Sequence, residues 1–586
     1  MGSKPKKTKK LNFMPSANRR INIWYVALIL ILAVIIGRLF YLQIIRHDYY
    51  RKAAQADQLK EYSIAADRGL VKAHEGSQIV PLVLNQKLYT LYADPGYIKD
   101  IPATAATASA ITAGDPADYE AAMRRLDTRY VVLAKRLSEL QKNQIVEQKL
   151  PGIGIQAQTY RTYPQNNLAA QLLGFVNDEG KGSYGLEQFY NKELTGTPGL
   201  LKAVTDVRGV PLAASKDNIQ VDPKAGSDVI LTVDLGMQKQ LENILKKGLE
   251  TARSNSGSAL IMEVNSGAIK AMANWPSYNP AEYYNVSNSD VFNNAAVSSP
   301  LEVGSSMKIL TASAALDLGV IKPDTTFYDP GRWDLDGHTI TNIEEVGGAA
   351  TRSIAEVLNQ SVNTGATWIL MQMGGGDINK QAREHWYDYM TNHFQLGKAT
   401  GIEQGYEANG YIPDPLSGDA LKLTYANTAF GQAMAATPLQ MAAALSSIVN
   451  GGIYYQPHLV EQVGSQVKQP NVVRTGVVSD AVSSQMRSLM EYVVANHHFA
   501  RRFGDKYSVG GKTGTAQIAN PAGGYYEDKF NGTYIGFVGG DRVQYVIVVR
   551  VNDPRIGGYA GAGAAQPIFG DLAHMLIDNF GVVPKK

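Results

Sequence analysis

The chain has 586 residues, 45% hydrophobic and 19% charged, a balance that excludes a disordered polymer and gives length for more than one folded unit. Its 56 basic and 53 acidic residues leave a net charge of only +3, too little to argue for a nucleic-acid partner. With no cysteine, disulfides and thiolate metal sites are excluded, and cysteine usage says nothing about the redox compartment.

Residues 1–20 carry Lys4, Lys6, Lys7, Lys9, Lys10, Arg19 and Arg20 and no acid. The run INIWYVALILILAVIIGRLFYLQII, residues 21–45, follows; it is unbroken from Trp24 to Gly37, and Arg38 can snorkel to an interface. A bilayer takes about 20 mostly apolar residues to cross. The pattern therefore predicts a transmembrane anchor at 21–45, with 1–20 a cytoplasmic basic tail and everything after residue 46 extracytoplasmic. A buried soluble helix is the weaker alternative, given this length and charge asymmetry. No small-x-small cleavage site follows the run, so the anchor reads as uncleaved. MGSKPK is not a myristoylation signal, because Lys6 stands where Ser or Thr is required.

Residues 46–225 read as a mixed region, with a strand in KLYTLYADP (87–95) and a helix over YVVLAKRLSELQKNQIVEQKL (130–150). VDPKAG (221–226) reads as a linker, and the alternating DVILTVD (228–234) opens a second unit spanning 226–582. There SALIMEV and AIKAMAN form strands paired across the turn at 265–267. VGGKTGTAQI (509–518), GTYIGFVGG (532–540) and QYVIVVRVND (544–553) add three more strands. The fold class is α/β of the α+β kind, with a central antiparallel sheet flanked by helices. GGYAGAGAAQP (557–567) lacks the Gly-Lys-Ser/Thr ending of a phosphate loop and reads as a loop near a substrate groove. His338, His393 and His497-His498 have no metal-ligand spacing and read as surface or core residues; neither metal nor cofactor is expected.

The chemistry lies in EVGSSMKILTASAAL (302–316), where Ser305 and Lys308 share one helical face amid apolar residues. A lysine buried there must find a counter-ion or lose its charge. Ser-x-x-Lys alone is cheap, since Ser3-x-x-Lys6 matches it too; Ser16-Ala17-Asn18 and Arg474-Thr475-Gly476 are further decoys. Only Ser305-x-x-Lys308, Ser361-x-Asn363 and Lys512-Thr513-Gly514-Thr515 fall in order within one predicted domain. That triplet is the signature of penicillin-binding proteins and class A β-lactamases. Ser305 is the expected nucleophile and Lys308 its base, with a pKa pulled from about 10.4 towards about 7–8 by burial and by Lys512. Ser361 can relay a proton and Asn363 can hold a substrate amide. Lys512, Thr513, Gly514 and Thr515, on an edge strand, would bind an extended peptide and its carboxylate, with Gly514 leaving room for the ligand. The backbone N–H groups of Ser305 and Thr515 are the candidate oxyanion hole.

From these motifs outward the chain resembles the class B penicillin-binding proteins over nearly its whole length. AADRGLVKAHEGSQIVPLVLNQKLYTLYADP, RTYPQNNLAAQLLGFV and GSYGLEQFYNKELTGTPG resemble the family's pedestal motifs; LTVDLGMQKQLE resembles the start of its transpeptidase domain. AFGQAMAATPLQMAAALSSIVNGG (429–452) and YAGAGAAQPIFGDLAHMLI extend the likeness to the carboxyl end. Val303 stands where the family has proline, and Ala433 where it has a second glycine. The resemblance implies a penicillin-binding, β-lactamase-like fold on an elongated pedestal (46–225). It also implies a serine-type D,D-transpeptidase in the membrane, its catalytic domain periplasmic. Ser305 would be acylated by stem peptides ending in D-Ala-D-Ala, or by β-lactams, and would pass the acyl group to an amine. Chain size, the simple pedestal and the plain ending resemble the division-specific (septal) branch more than the elongation branch. The implied partners are a SEDS-type glycan polymerase, FtsW-like or RodA-like, and other division proteins. A β-lactamase or D,D-carboxypeptidase, or a non-catalytic β-lactam sensor or scaffold, would share the site but not the anchor, pedestal and complete motif set.

Overall fold

The computed structural model describes residues 17–51, 59–204, 219–497, 499 and 502–586; most of the predicted basic tail, and His498, lie outside the described residues. By compactness the chain divides into two units, Met1–Ala66 with Thr197–Lys224, and Asp67–Gly196 with Ala225–Lys586. In the first unit the helix Ala17–Phe40 runs on into a π-helical turn, Tyr41–Ile45. The stretch Ile21–Ile45 has a mean hydropathy of 2.5 and is long and apolar enough to cross a membrane. Its apolar side chains are exposed, which in water would be costly and in lipid is not. Three antiparallel strands, Leu59–Ile64, Gly199–Val204 and Ile219–Val221, form the unit's sheet.

In the second unit the chain begins with β1 (Val71–Glu75), β2 (Gln78–Ala93) and β3 (Val131–Leu137), then α1 (Glu139–Glu147) and β4 (Ile153–Thr162). The helix expected over 130–150 is thus half strand. Val131 and Val132, β-branched, pair with Ala93 and Tyr92 of β2. Ser138 then starts α1 with a capping box, its hydroxyl accepting the Gln141 N–H while the Gln141 side chain accepts the Ser138 N–H. β5 (Val229–Asp234) leads into α2 (Leu235–Thr251), capped where Asp234 accepts the Met237 N–H at 2.9 Å.

The strands expected at SALIMEV and AIKAMAN are β6 (Ser256–Glu263) and β7 (Ile269–Trp275), antiparallel with Ala259 opposite Ala273. Helices α3 (Lys308–Asp317), α4 (Ile354–Asn359), α5 (Asn363–Gln372) and α6 (Pro438–Val449) follow. Then come β8 (Val460–Val463), β9 (Gln466–Val467), α7 (Asp480–Ala495), β10 (Ser508–Ala519), β11 (Tyr525–Gly539), β12 (Val543–Asn552) and α8 (Gln566–Asn579). The stretch 557–567 is only partly a loop: Gly561–Ala565 form a π-helical turn running into α8.

One sheet of seven strands has the order β9-β8-β5-β1-β2-β3, with β4 also on β2. The other has five strands, β7-β6-β12-β11-β10, all antiparallel, and β10 lies at its edge. Alternate residues of β6 and β12 feed two different cores. Leu260, Met262, Val546 and Val548 pack with α3, α6 and α7, while Ala259, Ile261, Ile547 and Val549 pack with α2 and α8. Helices thus cover both faces, so the strands read as continuous apolar runs. Each fully buried residue of Leu size contributes about 1.5–3 kcal/mol relative to exposure.

Candidate active site

The segment before α3 is a 3-10 turn, Gly304–Met307, that delivers Ser305 to the start of the helix. In that tighter coil, residues three apart eclipse. Ser305 and Lys308, the first residue of α3, therefore meet: Lys308 Nζ lies 3.0 Å from Ser305 Oγ. Gly304 (φ +59°) makes the turn possible, for a Cβ there would sit 2.5 Å from the Thr515 carbonyl oxygen. Gly431 (φ +85°) in turn abuts the Gly304 carbonyl. Three backbones, the nucleophile turn, the 430–433 loop and edge strand β10, are in direct contact here.

Lys308 is 1% exposed and has four oxygens about its ammonium: Ser305 Oγ, the Ser361 carbonyl at 2.5 Å, Ser361 Oγ at 3.2 Å and Asn363 Oδ1 at 2.8 Å. No described carboxylate pairs with it. Burial, reinforced by the Lys512 cation, holds its pKa well below the ordinary lysine value. Ser361 joins α4 to α5 with φ +58°, a left-handed conformation that costs a non-glycine residue about 1–2 kcal/mol. Held this way, its hydroxyl lies between the two lysines, 3.0 Å from Lys512 Nζ. Asn363 begins α5 and also donates to the Thr341 carbonyl at 3.3 Å. Lys512, buried on β10, has its pKa lowered to about 7 by burial.

These groups open on a cavity of about 410 Å³ lined by Ser305, Ser361, Asn363, Lys512, Thr513 and Thr515 among others. Lys308 stands behind Ser305, outside that lining. Gly514 also stands outside it, so the expectation that it leaves room for a ligand is corrected: a Cβ there would strike Thr533 Oγ1, the Val303 carbonyl and Ser306 Oγ. Thr515 Oγ1 accepts the Gly561 N–H at 3.0 Å. Its backbone on β10 adjoins the turn that bears Ser305.

The cavity also takes in Phe430, Gln432, His497, Gln517 and Tyr559, which the motifs did not single out. The signals were there for Phe430 and Gln432 in AFGQAMAATP, and for Tyr559 in the glycine-rich stretch. His497, read from sequence as surface or core, borders the cavity with its pKa lowered by burial and by Lys512. The two departures from the family pattern sit beside the site. The Val303 carbonyl accepts from Thr533 Oγ1 at 2.9 Å, and Ala433 adopts φ +56° where glycine would be unstrained.

A five-stranded sheet covered by helices, with a serine–lysine cluster at its edge strand, is the architecture of a penicillin-binding transpeptidase domain. Residues 257–574 match the family model of the penicillin-binding protein transpeptidase domain, and residues 63–231 that of the penicillin-binding protein dimerisation domain. The chain belongs to the class B penicillin-binding proteins. It is 28% identical over 568 residues to stage V sporulation protein D of Bacillus subtilis, covering 95% of this chain and 85% of the relative. It is 27% identical over 572 residues to the peptidoglycan D,D-transpeptidase FtsI of Escherichia coli, covering 95% and 91%. Penicillin-binding protein 2X of Streptococcus thermophilus shares the fold with a TM-score of 0.70 at 21% identity, over 89% of this chain and 81% of that one. Penicillin-binding protein 3 of Mycobacterium tuberculosis shares it at 0.67 and 24% identity, over 90% and 100%.

Proposed function

We propose that this protein is a peptidoglycan D,D-transpeptidase that works through an acyl-enzyme on Ser305. The observation that carries the reading is the buried Lys308 amine, 3.0 Å from Ser305 Oγ and met by no described carboxylate. A neutral amine has two N–H groups and one lone pair. The Ser361 carbonyl and Asn363 Oδ1 accept the two N–H groups, which leaves the lone pair for the Ser305 hydroxyl. Lys308 then takes the Ser305 proton as Oγ attacks the carbonyl carbon of the penultimate D-Ala. The Ser305 and Thr515 N–H groups hold the developing oxyanion. As the C–N bond breaks, the proton passes from Lys308 through Ser361 Oγ to the departing D-Ala amine. Lys512, Thr513 and Thr515 bind the terminal carboxylate, whose negative charge favours the protonated Lys512. Asn363 orients a donor amide.

An amine of a second stem peptide then accepts the acyl group, making the cross-link. Among the described cavity-lining residues there is no Asp or Glu to activate a deacylating water, which supports transfer over hydrolysis. β-Lactams, mimicking the donor, acylate the same serine.

We read residues 21–45 as a single-pass anchor with the amino terminus cytoplasmic, 46–225 as the pedestal and 226–582 as the transpeptidase domain outside the membrane. We further propose a septal role beside a SEDS-type glycan polymerase, the division-specific branch being the one that the chain's size and simple pedestal resemble. Ser305→Ala is expected to abolish covalent labelling by a fluorescent penicillin while the thermal transition stays in place; labelling that persists rejects the site. A fluorescent fusion is expected at the septum, and one confined to the side wall assigns the protein to elongation.

A further inference from the structure

Glu302 lies three residues before the nucleophile. Its Oε1 accepts the Ala433 N–H at 2.9 Å and the Tyr525 hydroxyl at 2.7 Å. Its other oxygen, Oε2, is buried and meets no donor among the described residues. Ala433 closes the loop that presents Phe430 and Gln432 to the cavity. Tyr525 opens β11 and pairs with Ala519, the last rung of the β10–β11 hairpin. That hairpin contributes Gln517 and Phe530 to the lining of the same cavity. Beyond the rung lies only the turn at 520–524, and Tyr525 is 40% exposed. Little other packing holds the tip.

We propose that Glu302 is a positioning residue that ties the tip of the β10–β11 hairpin and the 430–433 loop to the Ser305 turn, and so sets the width of the donor groove. The inference rests on Ser305 being the nucleophile. The hairpin and the loop each line that cavity, and the donor peptide would lie along the free edge of β10. A single carboxylate at the foot of the nucleophile turn therefore holds both walls at a fixed separation from Ser305 Oγ. When the Tyr525 bond is absent the tip swings freely, and the donor must order it on binding. Tyr525 reaches Glu302 from the end of its strand, at the last rung of the hairpin.

The test uses the full chain in detergent micelles, with fluorescent penicillin as the probe and hydrogen exchange as a second readout. Tyr525→Phe is expected to slow acylation of Ser305 about three- to tenfold, the span set by one net hydrogen bond. The amides of 520–524 should exchange faster, with little change in melting temperature. Glu302→Ala should slow acylation further, because both walls lose their tie. Glu302→Gln, whose carbonyl oxygen still accepts, should restore the rate to within about threefold of the parent. The double variant Glu302→Ala/Tyr525→Phe should be no slower than Glu302→Ala alone. Wild-type acylation and exchange in Tyr525→Phe, or additive losses in the double variant, overturn the proposal. Failure of the parent chain to label would instead refute Ser305 as the nucleophile, and exchange at 520–524 would still report on the tie.

Discussion

Lys308 and Lys512 share one hydroxyl, Ser361 Oγ, and both are buried, so each protonation affects the other. Only the neutral Lys308 can take the Ser305 proton. Acylation is therefore expected to rise with pH through the lowered Lys308 pKa and to fall again as Lys512, whose protonated form binds the donor carboxylate, loses its proton at about 7, as stopped-flow labelling will show. Lys512→Met removes the neighbouring cation, so the acidic limb should move to higher pH as the overall rate falls. Stability follows the same groups with a definite sign. Between about 7, where folded Lys512 loses its proton, and the ordinary lysine range, the unfolded chain binds more protons, so the fold gains stability as pH rises. In Lys512→Met this part of the slope should vanish from urea titrations run across that interval. The residue scale is where sequence was most informative. Serine, lysine and asparagine at fixed spacing named the polar cluster, because the chemistry dictates those side chains. Gly514 was misread because no spacing reveals which side of a strand faces solvent and which the chain's own backbone.

At the scale of elements, the site depends on close backbone approach. Gly514→Ala places a methyl against Thr533, Val303 and Ser306, and overpacking of this kind costs about 1–3 kcal/mol. A lowered melting temperature together with slower Ser305 labelling is expected. The strands at 256–263, 269–275 and 543–552 were legible because both faces are covered and their apolar runs are continuous. The segment 130–150 was not, since its apolar spacing also fits a helix. Strand pairing of Val131 and Val132 with β2 decided the first half, and the Ser138 cap the second. Pairing partners 40 residues away in sequence leave no trace in local periodicity.

At the scale of the whole molecule, the exposed apolar stretch Ile21–Ile45 fits a membrane anchor, and the proposed chemistry sits at the cluster beside β10. Deleting residues 1–45 removes no described strand of either unit. Such a protein is expected to leave the membrane fraction and still label with fluorescent penicillin at the parent rate; loss of labelling would show that the anchor supports the fold. Apolar length made this helix legible, because a bilayer imposes a thickness that composition must meet. The division of the chain into Met1–Ala66 with Thr197–Lys224, and the remainder, was not legible, since it depends on which distant strands pair.

The contact of three backbones at Gly304, Gly431 and Thr515 has an evolutionary corollary. Where main chain touches main chain, no side chain can be enlarged without expelling a neighbour. Heritable tolerance to an antibiotic acting here is therefore expected to accumulate in exposed lining residues away from these contacts, such as Tyr559, which is 42% exposed.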